Sequence, residues 1–221
     1  FKALSFLVIV SFIQSQNIID AYLSGNYTTT LMGTQAQGLI LPRDLDFHKD
    51  VERQNELWVI NENNLGGRNH GGSTVIYYDA GQETQWTEYR RDFYSGHFMH
   101  TASAIAMSEN GTFGNTLDCQ DANDSDGYFT GPVLWDSDTS VYARANQNGP
   151  LLGSHLDMIH QTPYGEGIAS AGENVYWVFD GFHNAIVKYD FVQPHIVGGD
   201  DHSDGKVWRH SEVVVQRSPG L

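Results

Sequence analysis

The sequence predicts an all-β fold built from a repeated sheet unit. Three observations carry this. Beyond residue 20 there is no sustained helical period. Apolar residues come in short runs bounded by Gly, Asn, Asp and Pro, the pattern of strands and turns. The composition, with 23 Gly, 11 Tyr, 11 Phe and 5 Trp in 221 residues, favours strands over helices.

The first residues have the layout of a secretory signal peptide: Phe1-Lys2, an apolar run from Ala3 to Ile13, then Gln14-Ser15-Gln16. That run is short for a membrane span, so residues 1–20 are expected to be removed and no stable span to remain. Three N-x-S/T sequons, at Asn26, Asn110 and Asn123, agree with export and are candidate glycosylation sites. The chain is thus read as a secreted glycoprotein.

The strand candidates follow in order. Leu41–Phe47 leads to Leu57–Asn61 and then to Ser73–Asp79. His100–Met107 leads, across a long loop at 109–128, to Gly131–Asp136 and then Ser140–Arg144. Thr162–Ser170 leads to Val175–Asp180 and Ala185–Tyr189. The first elements recur at about 60 residues, a spacing that signals a propeller or a related array. The units are read as roughly 40–97, 98–158 and 159–212, with a further unit opening at 213–221. A small β-sandwich is the other architecture that offers short strands with frequent turns.

Pro163, Gly167-Ile168-Ala169, Val175–Asp180 and Asn184–Asp190 resemble an NHL-type repeat. The first unit matches through Pro42, Leu57–Asn61 and Ser73–Asp79; the second lacks the leading Pro. The resemblance covers roughly residues 40 to 212. It implies a β-propeller in which each repeat is one four-stranded blade, and a chain holding about three to four blades of a six-bladed whole.

The net charge of −15, from 27 acidic and 12 basic side chains, excludes nucleic acid as a natural partner and favours cations. Cys119 is the single cysteine, without an internal disulfide or CxxC partner. It is either buried and inert or paired outside this sequence. No GxSxG, P-loop or GxGxxG is present, and Gly66–Gly72 runs into a strand rather than a helix, so it offers phosphate no helix N-terminus.

Asp180 and Asn184 bracket a tight turn that short Asx side chains stabilise, and His183 is read as a residue of that turn. His100 and His160 each precede the first strand of a unit. In a propeller such strands line the central channel, so the two imidazoles are candidate Zn²⁺ ligands; His48 fits less well. This pattern is similar to the peptidyl-hydroxyglycine lyase propellers, a resemblance that implies Arg43 and Tyr164 as the accompanying basic and phenolic groups. Asp200, Asp201 and Asp204, in a dense acidic loop, are candidate Ca²⁺ ligands. A second acidic loop, Asp121–Gly127, has Gly127 one place late for an EF-hand.

Two functional readings follow. One is a secreted binding or scaffold module for a protein, peptide or glycan. The other is a metal-dependent propeller enzyme, a lyase or a lactone or ester hydrolase.

Overall fold

The computed structural model describes residues 20, 22–25, 27–63 and 71–217. The signal-peptide run, the Asn26 sequon, most of the Gly66–Gly72 loop and the last four residues lie outside the described residues. The chain divides into two units, Phe1–Met32 and Gly33–Leu221. In the first, a helical turn closes as the Ser24 amide donates to the Asp20 carbonyl at 2.9 Å. No helix among the described residues is long and apolar enough to cross a membrane.

The second unit holds three four-stranded antiparallel sheets, each a simple meander in chain order. The first contains β1 (Pro42–Phe47), β2 (Leu57–Asn61), β3 (Ser73–Tyr78) and β4 (Trp86–Arg90). The second contains β5 (Ala102–Met107), β6 (Thr112–Leu117), β7 (Val133–Asp136) and β8 (His155–Met158). The third contains β9 (Gly165–Ser170), β10 (Val175–Asp180), β11 (Ala185–Asp190) and β12 (Lys206–Val214). The all-β expectation is met in this form.

The first strand of each sheet packs beside the next, β1 on β5 and β5 on β9. An edge strand leaves backbone donors open, and a buried donor must find an acceptor. Here β1 supplies them from alternate side chains. Asp44 Oδ2 accepts from the Ile105 amide at 3.0 Å, and Asp46 Oδ2 from the Met107 amide at 2.9 Å. Asp44→Ala is therefore expected to cost about 1–3 kcal/mol, with Asp44→Asn, which keeps an acceptor, costing less. Urea unfolding midpoints of the two variants check this.

Two apolar clusters flank the middle sheet. One joins Trp58, Ile60 and Ile76 to Ile105, Phe113, Val133 and Trp135. The other joins Ala106, Leu134 and Leu156 to Tyr176, Val178, Val187 and Tyr189. All six residues of β5 and all six of β6 are buried as a result. The third sheet alternates: Tyr176, Val178, Val187 and Tyr189 point into the core while Trp177 and Trp208 stay partly open to solvent.

Three expectations are corrected. Residues 109–128 are not all loop, because β6 lies within them. Its sequence, TFGNTL, looks like loop, yet its polar groups are paired inside: Asn115 Oδ1 accepts from Trp135 Nε1 at 2.6 Å, and Thr112 Oγ1 donates to Asn110 Oδ1 at 2.8 Å. Ser140–Arg144 forms turns instead of a strand, since the Asp138 side chain accepts from the Ser140 amide at 2.7 Å and the Asp138 carbonyl accepts from Val141 and Tyr142. The run near 213, expected to open a further unit, is the far end of β12, with Val214 paired to Ala185.

The Asp180–Asn184 turn has the expected form. Asp180 Oδ1 accepts from the Phe182 and His183 amides at 3.1 and 2.9 Å, His183 Nδ1 sits 2.7 Å from Asp180 Oδ2, and Asn184 takes φ +53°. Cys119 is buried, unpaired and 3.5 Å from Thr130 Oγ1; burial pushes its thiol up to about 11, so it is a weak nucleophile.

Candidate functional site

The densest gathering of unspent polar chemistry lies where the connection from β11 to β12 folds back over β8. Strand β8 is the last of the middle sheet. The connection covers its free edge: the Gly198 amide donates to the His155 carbonyl, and the Leu152 amide to the Gly198 carbonyl, both at 2.8 Å. Gly198 takes φ +74°, and a Cβ there would stand 2.5 Å from the Gly153 carbonyl oxygen. Only glycine permits this approach. The contact brings His195, His202 and Asp204 against His155 and Asp157.

Asp157 is fully buried. Its Oδ1 is held by the Met158 amide at 2.6 Å and by His202 Nδ1 at 2.8 Å. Its Oδ2 makes no hydrogen bond and faces His195 Nε2 at 3.7 Å. The same His195 nitrogen lies 2.7 Å from Asp204 Oδ1, while Asp204 Oδ2 is buried and unpartnered. Burial pulls the His195 imidazole down, but the Asp204 hydrogen bond and the charges of Asp157 and Asp204 together raise it above the usual histidine range.

Beside this group opens a cavity of about 400 Å³, lined by Tyr94, His97, Phe129, His160, Asp200 and His202 among others. Its walls are stacked rings. His160 lies on Phe129 with centroids 3.5 Å apart, and His155 lies on Phe98 at 3.6 Å. His160 is 5.9 Å from His97 and 6.0 Å from His202, centroid to centroid. His97 Nδ1, His155 Nε2 and His160 Nε2 are buried without a hydrogen-bond partner. Burial holds these rings neutral. His155 is lowered to about 4 and His160 to about 3, both by burial first and then by the neighbouring imidazoles, and His97 is lowered as well.

A larger hollow of about 550 Å³, beside Arg91, Asp92 and Gln147, is chemically quieter. Its buried Asp92 carboxylate is saturated by Tyr94, Gln147 and Ser154 at 2.7–2.9 Å. The smaller cavity is the better candidate site, because unpartnered groups, not volume, mark where a ligand can be held.

The sequence candidates are distributed as follows. His160 lines the imidazole cavity. His100 lines a separate one of about 230 Å³ with Cys119, Asp121 and Asp124. His100 Nδ1 is 3.0 Å from the Gly96 carbonyl and Nε2 is 3.5 Å from Asp124 Oδ1. The two histidines therefore do not share a ligand position, and a zinc held jointly by them does not fit. His48 bonds Ser137 at 2.9 Å. Arg43 pairs with Glu62 at 3.1 Å. Tyr164 bonds Gln120 and carries the Arg217 guanidinium 4.8 Å above its ring, so it does not meet Arg43.

The acidic loop separates its carboxylates too. Asp200 turns to the cavity, Asp201 accepts from the Ser203 amide at 3.1 Å, and Asp204 meets His195. They make no common calcium cradle. Asp121 is likewise spent on its own loop, accepting from Asn123 and Ser125. Asn123 is exposed at the cavity, and the Asn110 amide bonds Asn174 at 2.8 Å.

His97, His155, Asp157, His195 and His202 were not legible as site residues. One trace is present: the pattern His-x-Asp occurs three times, as His48-Lys49-Asp50, His155-Leu156-Asp157 and His202-Ser203-Asp204, and the last two meet here. No protein-family model matches the chain, and no curated protein matches it.

Proposed function

We propose that the chain is a secreted NHL-like β-propeller module that binds a protein, peptide or glycan through the imidazole-lined cavity. The propeller reading is supported by three successive four-stranded meanders whose first strands lie side by side. The single observation that carries the binding reading is the cavity itself: stacked aromatic and imidazole rings with unpartnered nitrogen atoms and the Asp200 carboxylate at its wall. Flat rings give a sugar face or an aromatic side chain a stacking surface, and the free nitrogens give it orientation. Glycosylation at Asn26 and Asn110 belongs to the same proposal; Asn123 lines the cavity, where a glycan would cover the binding site.

The metal-dependent enzyme reading has weaker support, because His100 and His160 stand in different cavities. No reaction step is assigned to Arg43 or Tyr164.

The experiment is a screen of the purified protein against glycan and peptide arrays, followed by titration of any hit against Phe129→Ala and Asp200→Asn. Both side chains are accessible, so the variants keep the fold. A ligand of this cavity loses at least about tenfold in affinity, about 1.4 kcal/mol, in one or both variants. Unchanged affinity in both, or no hit in either array, removes the reading.

A further inference from the structure

We propose that Asp157, His195 and Asp204 form a binding site for one first-row divalent cation of the Zn²⁺ type, clasping the β11–β12 connection to β8. The proposal is independent of the cavity ligand. Among the described residues these three form the one group whose ligand atoms all lie within 4.8 Å of one another. Ligands about 2.0–2.2 Å from a tetrahedral metal sit about 3.3–3.6 Å apart. The 3.7 Å from His195 Nε2 to Asp157 Oδ2 is close to that, while the 2.7 Å hydrogen bond from His195 Nε2 to Asp204 Oδ1 has to open by about 0.6–0.9 Å for both to ligate.

A cluster of acids alone would mean little. What points to a ligand is Asp157: a fully buried carboxylate with one oxygen fixed twice from behind and the other unpartnered in the cluster. A bare buried carboxylate oxygen is costly. A second unpartnered oxygen, Asp204 Oδ2, belongs to the same group. His202 plays the supporting part that outer hydrogen bonds play at metal sites, locking the orientation of a ligating carboxylate.

The donor set selects the ion. Ca²⁺ and Mg²⁺ prefer all-oxygen cages of six or more ligands, whereas one imidazole with two carboxylates suits Zn²⁺ and its neighbours. Three protein ligands leave a place for water. His195 also lines an open hollow of about 440 Å³ beside Pro194 and Val197, which gives ion and water a route in.

The test uses the full chain, stripped with a chelator, at neutral pH. Isothermal titration with Zn²⁺ is expected to give one site, and thermal melting a higher midpoint, with no response to Ca²⁺ at the same concentration. Asp204→Asn and His195→Gln change partly exposed residues, so folding is retained and checked by circular dichroism. Each is expected to weaken Zn²⁺ at least tenfold, while His160→Ala keeps the wild-type affinity. The proposal is overturned by absence of Zn²⁺ binding at millimolar concentration or by an equal response to Ca²⁺. It also fails if affinity survives in both site variants, or if it is lost in His160→Ala, which would move the ion into the imidazole cavity.

Discussion

Trp135→Ala is expected to lower the free energy of unfolding by about 3–5 kcal/mol, the range for deleting a large buried aromatic. Total stabilities of such domains run to about 5–15 kcal/mol, so this single change removes a large fraction. The magnitude follows from position. Trp135 is wholly buried on β7 and stands between the first two sheets. Its ring centroid lies 5.4 Å from Tyr142, and 6.2 Å from both Phe113 and Phe98. Trp58 closes the group, 5.1 Å from Phe113 and 5.4 Å from Tyr142. Removing the indole leaves a cavity that rigid strands cannot close. It also strands Asn115, whose Oδ1 takes the indole N–H at 2.6 Å, on the buried strand β6. Trp208→Ala is the control: that residue is 44% exposed and carries the Lys188 ammonium over its ring in a cation–π contact. It is expected to cost about 1 kcal/mol or less. Guanidinium unfolding of both variants decides; equal losses would mean that the aromatic cluster does not anchor the first two sheets.

The difference between what could be read in the sequence and what could not has a physical origin. Strands β2, β3, β10 and β11 announce themselves because their apolar residues run together between turn residues. Strands β6 and β8 do not, because they are buried with polar side chains whose partners come from elsewhere: Asn115 from Trp135, and Asp157 from His202. Tyr142 misleads in the opposite sense. It looks like the centre of a strand, yet it is a core residue delivered by a turn that Asp138 caps. The candidate site is missed for a further reason. It exists only once residues 191–205 fold back across β8, a contact between segments about 40 residues apart that no local period records. His160 stands out in the sequence because it precedes a first strand; its neighbours His97, His155 and His202 reach it through tertiary packing.

The acidic excess also changes meaning. A net charge of −15 suggests a surface that gathers cations. Several of the carboxylates are instead internal acceptors. Asp44 and Asp46 join the first two sheets, Asp92 saturates a buried node, and Asp180 closes the β10–β11 turn and meets Arg209 at 3.3 Å. A repeated sheet unit needs such acceptors at each edge and corner, because backbone donors there have no strand to bind. Asp157 is set apart from these carboxylates by its bare second oxygen.

Lowering the pH from 7 to 5 is expected to destabilise the cation-free protein by about 2–4 kcal/mol. The unfolded chain takes up a proton on each histidine near 6.5, but His155 and His160 in the fold resist until about 4 and about 3. Between those limits the unfolded state binds more protons, so stability falls with falling pH, by about 1.4 kcal/mol per pH unit for each such histidine. His160 keeps some solvent contact, which places its share at the lower end. His195 works the other way: its raised value makes a contribution that is fully present below about 6.5 and lost as pH rises through the folded value. His155 and His160, joined by the lowered His97 and His48, outweigh the one raised imidazole, so the net slope is acid-destabilising. His160→Phe preserves stacking on Phe129 and removes one titrating ring. In urea titrations at pH 7, 6 and 5 with a chelator present, it is expected to show a clearly shallower dependence than the wild type. Wild-type stability that stays level from pH 7 to 5, or an unchanged slope in His160→Phe, would mean that these imidazoles do not stay neutral inside the fold.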